Sequence, residues 1–282
     1  MPLLQDLLSP SVPDAKVLYH YTGQEGLLGI VREKRLRVSS ILHLNDAAEF
    51  NYTIGLAQQD LNKRLRLERG PWNTFYGTVL ESLDNLGKTM TLFVGSFSEN
   101  GDSLSQWRAY AQNGIGFSLG FEYDYLRPLA QAQEFRLLHC NYSKQDHTRA
   151  IDEIVADAGK QIDMHQADDV RAAVARFYDS LVKIAAVLKH PSFAEEREWR
   201  LISSPVFLDQ KPSASFRPGK SMVIPYREFN LASEGEPMQI ADLCVGPTPH
   251  MELSRLSVEY LLDASEVGRG AVRGSDVPYR SW

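Results

Sequence analysis

The run at residues 115–121, IGFSLGF, constrains the fold more than any other stretch of the chain. Ile115, Phe117, Leu119 and Phe121 alternate with Gly116, Ser118 and Gly120, the two-residue period of a β-strand rather than the 3.6-residue period of a helix. One face is large and apolar and belongs against a core. The other carries almost no side chain, so another backbone or a ligand approaches it closely. Such a strand needs a sheet, and the rest of the chain must supply its partners and the layers that cover it.

Residues 17–21, 36–39, 91–98, 135–142, 198–203, 222–226 and 240–245 read as those partners. Between them lie helical patterns. Thr22 with Glu25 forms a capping-box signal ahead of Leu27, Leu28 and Val31. Asp46 and Glu49 repeat it before Phe50, Ile54, Ala57, Leu61 and Leu65, and Pro71 suits the first turn of a helix through Phe75, Val79 and Leu83. The segment SLSQWRAYA reads as a short helix, and Pro249 opens a last one with Leu253, Leu256, Val258 and Leu261. Residues from about 146 to 189 read as two helices, the second strongly apolar. The expectation is an α+β fold with a mixed, largely antiparallel central sheet, flanking helices and a helical insertion at about 146–189, all in a single globular domain spanning 1–282.

Composition narrows the function classes. With 43% hydrophobic and 23% charged residues in 282 positions, the chain has material for a sizeable core. A net charge of −6 argues against a general binder of phosphate backbones. Two basic groups, Arg32, Lys34, Arg35 and Arg37, and Lys63, Arg64 and Arg66, read as solvated helix faces. Cys140 and Cys244 sit in apolar runs without metal spacing and read as small buried hydrophobes. The histidines show no paired ligand spacing, so no metal is expected. The first residues lack a secretion-signal pattern, and no apolar run approaches the roughly 20 residues of a membrane helix. The cytoplasm is the expected compartment.

Several motifs fail on context. ASFRPGKS (214–221) has the outline of a phosphate loop but precedes a strand, where that loop needs a helix. Gly114 and Gly116 lack the third glycine of a dinucleotide fingerprint, Leu119 standing in its place. No Gly-x-Ser-x-Gly nucleophile elbow occurs.

Three segments place polar groups where a plain core would not. His20 alternates with Tyr19 and Tyr21 at the end of a strand, ahead of Thr22. Ser96 and Ser98 share a strand face and precede a short helix bearing Trp107, Arg108 and Tyr110, which suits a planar ligand with an anionic group. Glu196, Glu198 and Arg200 fall on one face of an extended segment, with Trp199 and Leu201 on the other. Each has a plainer explanation: a buried His bonded to backbone, a Trp that anchors its helix, a charged edge strand.

The runs LYHYTGQEGLLGIV, LNDAAEF, SFSENGDSLSQWRAYAQNGIGFSLGF, KHPSFAEEREWRL, FRPGKSMVIPY and VGPTPHMELS together resemble the bacterial family catalogued as domain of unknown function 2971, over roughly residues 17–262. That family implies no activity. More distantly, the layout resembles ADP-ribosyltransferases, especially bacterial toxins that modify DNA bases. This resemblance implies NAD as co-substrate, no metal, His20 at the first-strand position, Ser96 and Ser98 in the middle motif, and Glu198 as the catalytic carboxylate. Glu196-Arg197-Glu198 fits the Glu-x-Glu form of one branch, although that branch carries Arg where His20 stands. On this reading Glu198 stabilises positive charge on the ribose. Trp107 or Tyr110 stacks on nicotinamide, and Arg108 or Arg200 grips the pyrophosphate. Tyr21 and Thr22 adjoin the cofactor, and Asn45 and Asp46 line the substrate side.

The acceptor is left open between nucleic acid, protein, small molecule and water. A toxin or phage-defence effector is the implied role. The alternatives are a non-catalytic nucleotide-sensing or interaction module, and a hydrolase of nucleotide-like substrates using Glu198 with His20. The catalytic readings require His20 and Glu198 to be neighbours across one nucleotide-sized hollow, whereas in the non-catalytic module the same residues bind a nucleotide or hold the structure.

Overall fold

The computed structural model describes residues 2–9, 12–43, 47–68, 70, 72–83, 85–110, 116–160, 166–207, 214–219 and 221–278. The chain opens with α1 (Pro2–Leu7), β1 (Val17–Thr22), α2 (Gln24–Glu33) and β2 (Arg35–Ser40). Then come α3 (Ala47–Leu67), α4 (Trp72–Leu83), α5 (Leu86–Thr89), β3 (Met90–Thr91), β4 (Phe93–Ser98) and α6 (Leu104–Tyr110). The middle holds β5 (Phe117–Glu122), α7 (Tyr123–Ala132), β6 (Phe135–His139), α8 (Lys144–Ala158) and α9 (Ala167–Ala185). The remainder is β7 (Glu198–Ser203), β8 (Val206–Phe207), β9 (Ser215–Pro218), β10 (Val223–Asn230), β11 (Gln239–Val245), α10 (Met251–Ala264) and β12 (Gly268–Gly274).

Among the described residues ten strands form one sheet, and β3 with β8 form a small second one. The sheet is antiparallel except for the parallel pair β11–β12, so the expected α+β class with a mixed, largely antiparallel sheet is what the chain adopts. Strand alternation divides the core. Leu18, Phe97, Trp199, Leu119 and Leu243 point to the face covered by α2, α7 and α10. Val94 and Ile202 point to the opposite face, where α3, α4, α8 and α9 share one apolar cluster. No helix among the described residues is long and apolar enough to cross a membrane.

The bare face of β5 is explained by close approach of protein. A Cβ on Gly120 would lie 2.7 Å from Val17 Cγ1, 2.8 Å from the Tyr19 ring and 3.0 Å from the carbonyl of Asp242. Ser118, fully buried, donates from its hydroxyl to the carbonyl of Gly101 at 2.9 Å. Ile115 lies outside the described residues.

Three local expectations change. Helix α2 is capped by Gly23 and not by Thr22, because Thr22 is still paired to Phe117 as the last residue of β1. The strand expected at residues 36–39 forms as β2 and takes in Arg35 and Arg37, with Leu36 and Val38 alternating into the core, so the helix-face reading of those two arginines falls. Residues 198–203 form a strand as expected, but a central one: β7 lies between β4 and β6, and all six of its residues are buried.

Candidate functional site

The sheet forks at β4. On one edge β4 pairs along its length with β7, from Val94↔Ile202 to Ser98↔Glu198. On the other edge it is shared: β1 meets it at Tyr19↔Ser98, and β2 meets it at Ser39↔Val94 and Ser40↔Phe93. Past these contacts β1 follows β5, and β2 follows β10. The edge of β4 around Ser96 is therefore left without a strand partner. A backbone carbonyl in that position needs a donor, and His20 supplies it, donating from Nδ1 to the oxygen of Ser96 at 2.9 Å. Burial holds the imidazole below its usual pKa, against the opposing pull of the Ser96 carbonyl. The ring is thus neutral at pH 7, with its proton on Nδ1 and Nε2 bare.

A cavity of about 40 Å³ opens at this fork, lined in part by His20, Ser96, Gln106, Tyr110, Glu196 and Glu198. His20 and Glu198 do line one hollow. It is not nucleotide-sized, however, since ligand pockets run to roughly 300–1,000 Å³ and this one has room for a few waters.

Beside the cavity lies a buried ion cluster. Glu198, 4% exposed, receives Arg200 Nε on Oε1 at 2.9 Å and Arg200 Nη2 on Oε2 at 3.1 Å. Lys189 Nζ donates to Glu198 Oε2 at 2.6 Å and to Glu196 Oε2 at 2.5 Å. Burial alone would push the Glu198 carboxyl up, but Arg200 and Lys189 outweigh it and hold it down at about 2. The backbone is fastened too: Glu198 N–H donates to the Tyr142 hydroxyl at 2.9 Å. A buried carboxylate is tolerable only with such partners.

The other residues singled out by sequence separate into two sets. Tyr21 and Tyr110 line the cavity with the residues above. Thr22, Ser98, Trp107, Arg108 and Arg200 are not among its lining residues. Ser98 is a structural bracket, donating to the Glu196 carbonyl at 2.7 Å and accepting from Asn100 N–H at 3.1 Å.

Trp107 has no exposed surface. Its indole donates to Asp102 Oδ1 at 2.7 Å and its ring meets Tyr21 edge-on at 4.7 Å, so stacking on a ligand is ruled out in this state. Arg200 is committed to Glu198 and to the Ala186 carbonyl at 3.0 Å, which corrects its expected role on a pyrophosphate. Arg108 is exposed on α6. The expected substrate residues Asn45 and Asp46 lie outside the described residues. Tyr21 is itself held, donating to Asn100 O at 2.6 Å and accepting from Ser103 N–H at 3.0 Å.

Sequence reasoning missed Lys189 and Tyr142. Lys189 carried a readable signal, a lysine closing the strongly apolar run that ends at Leu188. It also missed a second buried group, in which His147 donates from Nε2 to Asn141 O at 2.8 Å and accepts on Nδ1 from the Tyr52 hydroxyl at 2.9 Å. Among the described residues no cluster of His, Cys, Asp and Glu side chains suited to a metal ion occurs.

No curated protein and no solved structure matches the chain. One family does: residues 106–201, which run from Gln106 to Leu201 and so include Tyr110, Lys189, Glu196 and Glu198 but not His20, match the family described as "Protein of unknown function (DUF2971)".

Proposed function

We propose that the fork of the sheet is the reaction centre of an NAD-consuming enzyme of ADP-ribosyltransferase type. The observation that carries this reading is that one cavity gathers His20, Ser96, Glu196 and Glu198 from three distant parts of the chain. The chemistry breaks the bond between ribose C1 and the nicotinamide nitrogen. Nicotinamide leaves with the bonding electrons, and an acceptor nucleophile adds to the carbon. Positive charge builds on the ribose as the bond breaks, and a fixed carboxylate beside it stabilises that charge where it develops. Glu198 is ionised and immobile, which suits the task. The cavity must widen for a nucleotide to enter; Tyr110, at the end of α6, and Glu196, at the end of the 3₁₀ turn Pro191–Glu196, are two of its walls.

A second reading, a silent nucleotide-sensing module, is favoured by one specific observation: Lys189 and Arg200 already offset the charge of Glu198. The test is incubation of the purified chain with labelled NAD, DNA, RNA and cell lysate, beside Glu198→Gln and Glu196→Gln variants of verified folding. Release of nicotinamide by wild type, and its loss in Glu198→Gln, is the expected result. Folded wild type that leaves NAD intact and labels nothing overturns the transfer reading, and NAD binding without turnover favours the silent module.

A further inference from the structure

With Arg200 committed to Glu198, the transfer reading needs another cation for the phosphates of its nucleotide. Strand register supplies candidates. Paired residues point to the same side of a sheet, and so do residues two apart on one strand. Ser39 pairs with Val94, so Arg37 shares a face with Val94, Ser96 and Ser98. Tyr226 pairs with both Ser39 and Ser215, which brings Arg217 to the same face. Glu198 pairs with Ser98 and joins them. Arg37 is also level with Ser96, two residues from the Ser39↔Val94 pair, on the opposite lip of the fork.

We propose that Arg37 and Arg217, together with Tyr226 and Ser39, form a phosphate-binding subsite for the diphosphate of the nucleotide whose ribosyl end enters the cavity. It rests on the nucleotide reading above. The two guanidiniums are held close together: Arg37 lies over the Tyr226 ring at 5.4 Å from its centre, and Arg217 Nη2 donates to Ser39 Oγ at 3.1 Å. Burial and, after it, the charge of Arg37 push the Arg217 guanidinium below its usual value.

Neighbouring arginines on a protein surface are usually quenched by carboxylates. Arg35 is, by Glu228 at 2.6 Å. Among the described residues Arg37 pairs with Glu33 at 3.3 Å, half-exposed, and stands across the strand pair from Glu228, which is already taken by Arg35, while Arg217 has no carboxylate partner. Forked cations with donors to spare, fixed by an aromatic ring and a hydroxyl, match the geometry of phosphate oxygens. At roughly 5 Å per strand, Arg37, Tyr226 and Arg217 span about 10 Å across β2, β10 and β9, and β2 joins β4 at Ser39↔Val94, two residues from Ser96.

Calorimetric titration of the full chain with inorganic pyrophosphate, and separately with ADP-ribose, tests this. Arg37→Gln and Arg217→Gln should each weaken pyrophosphate by about tenfold, the loss of one charge-assisted contact. The double variant should abolish binding, and Arg66→Gln on the exposed face of α3 should change nothing. Wild type that ignores pyrophosphate, or a double variant that binds it normally, overturns the subsite. Arginine-dependent pyrophosphate binding without NAD consumption keeps the subsite and removes the transfer reading. NAD consumption with an unchanged KM in the double variant does the reverse.

Discussion

Replacing Glu198 by Gln removes one charge from the buried cluster and tests whether that cluster holds the fold. Glu198 and Glu196 together balance Lys189 and Arg200, so Glu198→Gln leaves these four positions with a net positive charge beneath the surface. The carboxyl is held at about 2 against an ordinary 4.5. At about 1.36 kcal/mol per pKa unit, this amounts to roughly 3 kcal/mol of stability at neutral pH. The figure agrees with the roughly 3–5 kcal/mol that breaking a buried ion pair costs.

A folded-state pKa below the unfolded one contributes fully above the unfolded value and is lost as pH falls through the folded one. The gap between wild type and Glu198→Gln is therefore expected to be full at pH 7 and to close between pH 4.5 and about 2. Urea unfolding at pH 7, 5, 4 and 3 measures it. Adding Lys189→Met restores neutrality and should recover at least about 1 kcal/mol. A Glu198→Gln protein within about 1 kcal/mol of wild type at pH 7, or a gap that stays constant down to pH 3, refutes the reasoning.

His20→Ala strands the carbonyl of Ser96 at the fork and should cost about 1–3 kcal/mol by denaturant unfolding. Because burial depresses its pKa, wild-type His20 should stay neutral, with the proton on Nδ1, as pH is lowered through its ordinary 6.5, and imidazole ¹⁵N shifts report this directly. Gly120→Val drives a branched side chain into Val17, Tyr19 and the Asp242 carbonyl and should destabilise by at least about 1–3 kcal/mol, seen as a lowered Tm. Trp107→Phe removes the indole bond to Asp102, whose carboxylate also accepts from Ser275 Oγ and from Asp276 N–H at 2.8 Å. Limited proteolysis should then cut more readily after β12.

Much of the sheet could be read from local alternation. Glu198–Ser203 is a strand as its pattern says, with Glu198 and Arg200 on one side and Trp199 and Leu201 on the other. What alternation does not reveal is which face meets water. Charges two apart look alike on a solvated edge and in a neutralised interior, and the difference here is made by Lys189, placed by the end of a helical layer that precedes the strand. The same limit hid the fork, which depends on pairing between β1, β2 and β4, remote in sequence. For Arg35 and Arg37 two readings compete: residues 36–39 as a strand, which the structure bears out, and the basic group as a helix face, which it does not. The order Arg-Leu-Arg-Val alternates with the two-residue period of a strand, Leu36 and Val38 lie in the core, and a count of basic residues carries no such period. Trp107 was equally open to an anchoring role, because its partner Asp102 sits only five residues earlier.

The cluster at the cavity is built from a central strand and a 3₁₀ turn, and the two are held differently. Glu198 lies in the central strand, clamped by β4, β6 and two N–H groups of Arg200, and Ser96 and His20 are tied to each other across the fork. Glu196 ends a 3₁₀ turn and is followed by Arg197 in the left-handed region at φ 43°, a conformation costly for a side chain of this size. Lys189 touches both carboxylates. Swinging the turn outward breaks the bond of Lys189 to Glu196, its contact over the Phe193 ring and the Ser98 bond to the Glu196 carbonyl, while Glu198 keeps Lys189 and Arg200. Hydrogen exchange should accordingly find the amides of residues 199–202 among the slowest in the chain and those of 192–196 opening orders of magnitude faster. Equal protection of the two segments would leave the cavity with no means of admitting a nucleotide.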